Sequence, residues 1–371
     1  MSALPATPEN DAAIRAEGAR RIVFVVGSGR SGTSTLAGAL KRLGAHIPQP
    51  EVPSDETNPR GFSEPAWVIA FHDRLLKRAN VQVSDARPRA WFATGRLAMD
   101  EGLINELSVW LEEQFQAGGN ELVIKDPRLV WFLGLWRAAA ERCGATPLHA
   151  TMLRPVTEVV ASKQKYYDDE FGVLNRAAAW LNMMLHTERA TRGSERAFVQ
   201  YHDLLEDWTV PVSALGERFA LDSVRNASAN DIREVHHFID AGLRRHQHTW
   251  DDLPVPERLR LLAQAASEEL DALTAPEADT ADRHARLDDL RARYSEYYLE
   301  SEAIAQSTAV AHRRQVRFDF EAKGMFLDPP PEERNALGDR VAGRTPHGLR
   351  AIVPGPVRRS LKRRMNRRAG R

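Results

Sequence analysis

The run VVGSGRSGTSTL, from Val25 to Leu36, follows a β-branched segment, RIVFVV (Arg21 to Val26), and opens into STLAGALKRLG (Ser34 to Gly44). The apolar residues of the latter recur at helical spacing and end on a glycine stop. Strand, glycine-rich turn and helix in that order form an anion nest, because the turn's backbone N–H groups and the helix's unsatisfied first donors favour negative charge. Set over the phosphate-loop pattern G-x-x-x-x-G-K-[ST], the run supplies Gly27, Gly32 and Ser34 but has Thr33 in the lysine's place. Without that ammonium the grip on the β and γ phosphates of ATP or GTP is lost. Arg30, within the loop, offers a charged planar fork to some other anion. Taken alone, the loop fits a phosphate or phosphosulfate site and a generic tight turn equally well.

Outward from this run, strands and helices alternate. ELVI (Glu121 to Ile124), PLHATMLR (Pro147 to Arg154) and RAFVQY (Arg196 to Tyr201) read as further strands. Helices are predicted over 66–78, 97–116, 129–142, 155–166 and 173–192, the fourth with Pro155 at its first position, where a missing N–H costs nothing. The pattern predicts an α/β fold: a parallel central sheet flanked by helices, binding ligands at the carboxyl ends of its strands. A helical extension follows. Leu259 to Leu273 is amphipathic, and Leu287, Leu290, Tyr294, Tyr297 and Ile304 keep a heptad-like spacing, either packing a surface hairpin or pairing two copies as a homodimer. The expected organisation is a flexible N-terminus over 1–20, the α/β domain over 21–256, the extension over 257–325 and a basic tail over 326–371.

Composition narrows the functional classes. The 371 residues are 43% hydrophobic and 27% charged, enough for a full core. No apolar run reaches the roughly 20 residues that span a bilayer, and the first residues lack a secretory signal, so the expected place is the cytoplasm. The single cysteine, Cys143, reads as a small buried apolar residue. Formal net charge is zero, yet Arg340 to Arg371 carries eleven Lys or Arg and no Asp or Glu. Such a tail suits a solvated end or contact with an anionic membrane from the inner face; nucleic acid is not expected as a partner. His236, His237, His246 and His248 point in different directions on a helix, so no metal site is read there. Trp131 and Trp136 read as core.

A second constellation stands at the third strand's end. Arg154 closes that strand and Ser162 follows about two helical turns later, so both can turn toward one anion; each could equally satisfy a local partner. Taken with the loop, the residues resemble the sulfotransferases that use 3′-phosphoadenosine 5′-phosphosulfate (PAPS). GSGRSGTS looks like their 5′-phosphosulfate loop and LRPVTEVVASKQKYY like their 3′-phosphate segment. IKDPR (Ile124 to Arg128) and FVQYHDLLEDW (Phe198 to Trp208) resemble the corresponding bacterial segments in the same order, so the resemblance spans Arg21 to Trp208.

The resemblance implies a P-loop-like fold and a metal-free transfer of a sulfuryl group to a hydroxyl, expected on a carbohydrate or glycolipid. Gly29, Arg30, Ser31, Gly32, Thr33 and Ser34 would bind the 5′-phosphosulfate, and Arg154 with Ser162 the 3′-phosphate. Arg30 and Lys125 would neutralise charge on the leaving oxygen. Lys125 could instead pair with a neighbouring carboxylate. Cytosolic small-molecule members carry a catalytic histidine two positions after this lysine, where this chain has Pro127. Glu64, ending NPRGFSE (Asn58 to Glu64), resembles an acceptor-side base whose pKa partial burial would raise; a solvated carboxylate at a helix start is the other reading. His72 is the reserve base, otherwise a partly exposed helix histidine. Asp126 and Arg128 are expected to orient Lys125 or meet the acceptor, and Tyr201 to lie near the adenosine. An ATP-dependent small-molecule kinase with a degenerate loop and a non-catalytic nucleotide-fold scaffold stay open as alternatives.

Overall fold

The computed structural model describes residues 18–166, 171–239 and 248–322. Positions 1–17 of the expected flexible start and the whole basic tail over 326–371 lie outside them. Four strands, β1 (Arg20–Val26), β2 (Glu121–Lys125), β3 (Ala145–Leu153) and β4 (Glu195–Gln200), form one parallel sheet in the order β2-β1-β3-β4. Each lies within two residues of its predicted run.

The helices are α1 (Thr33–Arg42), α2 (Ala66–Ala79), α3 (Ala90–Gly95), α4 (Glu101–Gly118), α5 (Leu133–Arg142), α6 (Val156–Tyr166) and α7 (Val173–Ala190). After β4 come α8 (Tyr201–Glu206), α9 (Thr209–Arg218), α10 (Asp222–Arg225), α11 (Ala229–Phe238), α12 (Glu257–Asp271) and α13 (Ala281–Ala322). Two predicted helices are broken, one by an aspartate and the other at Phe132, where a 3₁₀ turn gives way to α5. Asp100 caps α4 by accepting from the N–H groups of Gly102 and Leu103, so a separate 3₁₀ turn over Arg96–Met99 precedes it. Asp126 accepts from Arg128 N–H and starts a 3₁₀ turn over Pro127–Trp131 before α5.

Strand β1 is buried on both faces, as a central parallel strand must be. Ile22, Phe24 and Val26 pack with α2, α4 and α5, while Val23 and Val25 pack with α1 and residues of α8 and α9. Trp131, Trp136 and Cys143 sit in the first of these cores. A third core joins α7, through Trp180, Leu181 and Met184, to Leu259 and Leu262 of α12 and to Leu287, Leu290 and Tyr294 of α13. Three of the heptad-spaced residues are thereby buried against the helices that follow β3 and in the same chain. The chain divides into two compact units, 1–300 and 301–371; the described part of the second is the continuation of α13 from Ser301 to Ala322. No helix among the described residues is long and apolar enough to cross a membrane.

The strand order sets the location of the site. Chain direction from β1 leads first to one neighbour, β2, and then across to the other, β3, so the carboxyl ends of β1 and β3 flank a topological switch point, where open α/β sheets bind ligands.

Candidate active site

The turn after β1 is built by backbone constraint. Gly27 and Gly32 take φ of 139° and 94°, and a Cβ on Gly32 would stand 2.2 Å from the Tyr201 ring. Arg30 adopts φ of 73°, a left-handed conformation uncommon outside glycine and concentrated at functional sites. The Ser31 N–H donates to Ser28 C=O at 3.1 Å, closing the turn. Gly32 then caps α1 without a side-chain bond, and Ser31 Oγ is buried with no hydrogen-bond partner among the described residues. An unsatisfied hydroxyl beside a helix N-terminus is what an anion-binding turn would carry.

Arg30 ties this turn to the third crossover. Its Nε donates to Ser162 Oγ at 3.0 Å, its Nη1 to Thr57 C=O at 3.1 Å, and its guanidinium lies 4.5 Å from the Tyr166 ring centre. Arg154, directly after β3, donates through Nη1 to the Arg30 C=O at 2.9 Å and through Nε to Glu158 Oε2 at 2.9 Å. Its guanidinium also lies 4.9 Å from the Tyr201 ring centre. Arg154 and Ser162 are thus brought to one place, with Arg30 between them. Tyr201 lies under both the turn and Arg154, and burial raises its phenol pKa.

Beside the turn, Lys125 at the end of β2 donates to Ser34 Oγ at 3.0 Å and forms an ion pair with Glu64. Both ionic side chains are almost fully buried. Burial raises the Glu64 pKa above the ordinary carboxylate value, against the opposing pull of Lys125. Glu64 is therefore a buried carboxylate facing an ammonium at the head of α1, not a solvated carboxylate at the start of α2. Both the pairing expected of Lys125 and its place by the turn are present together.

His72 is corrected by its surroundings. It is fully buried, its Nδ1 lies 2.6 Å from Asp126 Oδ2, and its Nε2 accepts from the Trp136 indole N–H at 2.8 Å. An acceptor Nε2 fixes the proton on Nδ1, so both ring nitrogens are used and neither can reach an acceptor hydroxyl. Asp126 also accepts from Arg128 Nη1 at 2.9 Å, and Arg128 Nε donates to Asp73 Oδ1 at 2.7 Å. Burial pushes the Asp126 carboxyl up, but the His72 hydrogen bond, the Arg128 charge and the Arg128 N–H outweigh it and hold the pKa at about 2.

These groups line an open cleft of about 1150 Å³ that includes Gly29, Arg30, Thr33, Ser34, Glu64, Lys125, Arg128, Arg154, Ser162 and Tyr201. Among the described residues no group of three or more His, Cys, Asp or Glu could hold a metal ion. His236 accepts from the Trp208 indole N–H at 3.1 Å, and His246 lies outside the described residues.

Three participants escaped the sequence reading. Glu158 pairs with Arg154 across one helical turn, a spacing that could have signalled it. Thr57 offers only its carbonyl, for which side-chain identity gives no signal. Lys163, next to Ser162, is buried against the turn.

No protein-family model and no curated protein matches the sequence. Among solved structures the chain is similar to the sulfotransferase domain from the Synechococcus PCC 7002 olefin synthase, at 17% identity and a TM-score of 0.41, over 69% of this chain and 97% of that one. It is similar to the sulfotransferase domain from the curacin biosynthetic pathway, at 16% identity and a TM-score of 0.40, over 68% and 98%. A third is sulfotransferase STF1 from Mycobacterium tuberculosis H37Rv, at 15% identity and a TM-score of 0.35, over 70% and 77%. The α/β assignment rests on the strand order and register themselves, and these values add no residue role to it.

Proposed function

We propose that the chain transfers a sulfuryl group from PAPS to a hydroxyl of a carbohydrate or glycolipid. The observation that carries this reading is the chain of contacts Glu64–Lys125–Ser34, which sets a buried carboxylate and an ammonium at the mouth of an anion-binding turn. The turn suits the donor's 5′ anion, because Ser31 Oγ is buried there without a partner among the described residues and the glycine at position 32 keeps the Tyr201 ring against the backbone. Arg30, Arg154 and Ser162 would meet the two anionic ends of the nucleotide. A bound donor supplies an activated sulfur–oxygen bond. The remaining work falls to the chain: Glu64 takes the acceptor's hydroxyl proton, freeing its oxygen to bond to sulfur, while Lys125 and Arg30 stabilise the electron pair that leaves with the nucleotide's phosphate oxygen. The products are a sulfate ester, a proton held on Glu64 and adenosine 3′,5′-bisphosphate.

Calorimetric titration tests the donor assignment. The protein is expected to bind adenosine 3′,5′-bisphosphate well and ATP with Mg²⁺ poorly, since Thr33 removes the lysine a triphosphate needs; the reverse order would replace this reading with the kinase. Arg154→Ala should weaken the bisphosphate by about 10- to 100-fold, the range for a hydrogen bond to a charged group. Adenosine 5′-phosphate, which lacks the 3′ group, should lose little. Equal losses for the two ligands would remove Arg154 from the 3′ site. Transfer of labelled sulfate from PAPS to a panel of glycans and glycolipids then tests the reaction itself.

A further inference from the structure

A second groove, of about 510 Å³, shares no lining residue with the cleft. It runs between α3, the end of α7 and the stretch of α13 from Asp288 to Leu299, all within the unit over 1–300. Its volume lies in the range that holds a small molecule. One wall is aromatic. Trp91 is stacked on Phe92 with ring centres 3.6 Å apart, and His186 is stacked against both Trp91 at 5.6 Å and Trp131 at 5.8 Å. The inner end of this stack is core, whereas Phe92 is 59% exposed. A large ring is thus fixed at the surface by its neighbours, and a planar ligand can stack on it.

Charge is the second feature. The Arg189 guanidinium lies 5.5 Å from the Trp91 ring centre, and its side chain makes no hydrogen bond or ion pair with the described residues. From α13 it meets a like charge: burial lowers the Arg291 pKa, and Arg189 adds to that shift. Asp288, the one carboxylate lining the groove, is already taken by Arg192 at 2.9 Å and by Arg291. A guanidinium beside an aromatic face, with a like charge near it and no carboxylate of its own, favours an anion carried on a flat ring.

We propose that this groove is a binding site for a small aromatic anion, whose ring stacks on Phe92 and Trp91 while its carboxylate or sulfate group pairs with Arg189. Leu299, 54% exposed on the α13 side, closes the apolar rim opposite the rings. Because the groove and the cleft have separate walls, the site does not depend on what the cleft transfers.

The test titrates 2-naphthoate, naphthalene-2-sulfonate and 2-naphthalenemethanol into the wild type, Arg189→Gln and Phe92→Ser by calorimetry, at low salt, where an exposed guanidinium is least screened. The alcohol carries the same ring without the charge, and the two anions separate a carboxylate from a sulfate-like head group. The wild type is expected to bind at least one anion about 10-fold more tightly than the alcohol, the low end for a hydrogen bond to a charged group. Arg189→Gln should erase that preference and leave the alcohol hardly changed. Phe92→Ser should weaken all three by about 3- to 10-fold, the range for an aromatic pair. Both side chains are exposed, so neither substitution disturbs the core. Both also lie outside the cleft, so a loss in these variants locates the site whatever the cleft binds. Equal wild-type affinity for the alcohol would reduce the groove to a non-selective apolar patch. That result, anion binding unchanged in Arg189→Gln, or no binding of any of the three would each overturn the proposal while leaving the donor reading intact.

Discussion

Glu64→Gln is expected to lower turnover by about 10²- to 10⁴-fold, the usual contribution of a positioned general base. Affinity for adenosine 3′,5′-bisphosphate should stay nearly unchanged, because glutamine keeps an oxygen to accept from Lys125 and the anion turn is untouched. Only the proton acceptor is lost. The pH profile supplies the sharper check. Burial raises the Glu64 pKa, so the wild type should lose activity, as pH falls, at a higher pH than an ordinary glutamate would allow. A base works only when deprotonated, hence the rising limb follows the raised value. In the Gln variant the residual rate should lack that limb. Near-normal turnover with the limb retained would move the base to another group.

Asp126→Ala is expected to destabilise the fold by about 3 to 5 kcal/mol, the range for breaking a buried ionic pair from one side. The carboxylate answers the His72 Nδ1–H and the Arg128 guanidinium at a site with almost no exposure, and His72 in turn receives the Trp136 indole N–H. Alanine would strand the buried His72 Nδ1–H and leave the half-buried Arg128 guanidinium with Asp73 alone. Urea denaturation should show a lower midpoint with an unchanged slope. Asp126→Asn, which retains an acceptor for His72, should cost less, and a loss under about 1 kcal/mol for alanine would show that the chain of bonds carries little of the fold's stability. Acid acts on the same group. The folded pKa of about 2 lies below the ordinary 3.8, so the contribution is complete above about pH 4 to 5 and disappears as pH falls toward 2. Wild-type stability should drop in that window more steeply than that of the alanine variant.

These two residues also mark how far the sequence could be read. Buried parallel strands are short β-branched runs between turn residues, and RIVFVV announces itself as one without help from the rest of the chain. Arg30 and Arg154 stand just beyond strand ends and Ser162 two helical turns into the helix that follows β3, so residue type and position pointed to an anion there, while Lys125 at the end of β2 was reached only through the family resemblance. Pairing was not legible in the same way. That Arg30 reaches Ser162, or that Lys125 meets Glu64 across 61 residues, depends on how loops return over the sheet, and no local pattern encodes it. His72 shows the limit most clearly: its helix is amphipathic, but the partners that bury it, Asp126 and Trp136, come from a strand end and a later helix. The helix break at Asp100 was in principle visible, since a capping aspartate is a local signal; the apolar periodicity on either side outweighed it.

The placement of β1 in the middle of the sheet has a consequence for synthesis. Of the described strands it leaves the ribosome first, yet its earliest neighbour, β2, begins roughly 95 residues later and its other neighbour later still. At ordinary elongation rates the nascent chain carries an apolar strand with two open edges for on the order of 5 to 20 s. Unpaired edges invite strands from other molecules. The arrangement that gathers Arg30 and Arg154 into one cleft therefore makes the growing polypeptide a client for chaperones, and crowded expression should favour inclusion bodies unless translation is slowed or holdase capacity is raised.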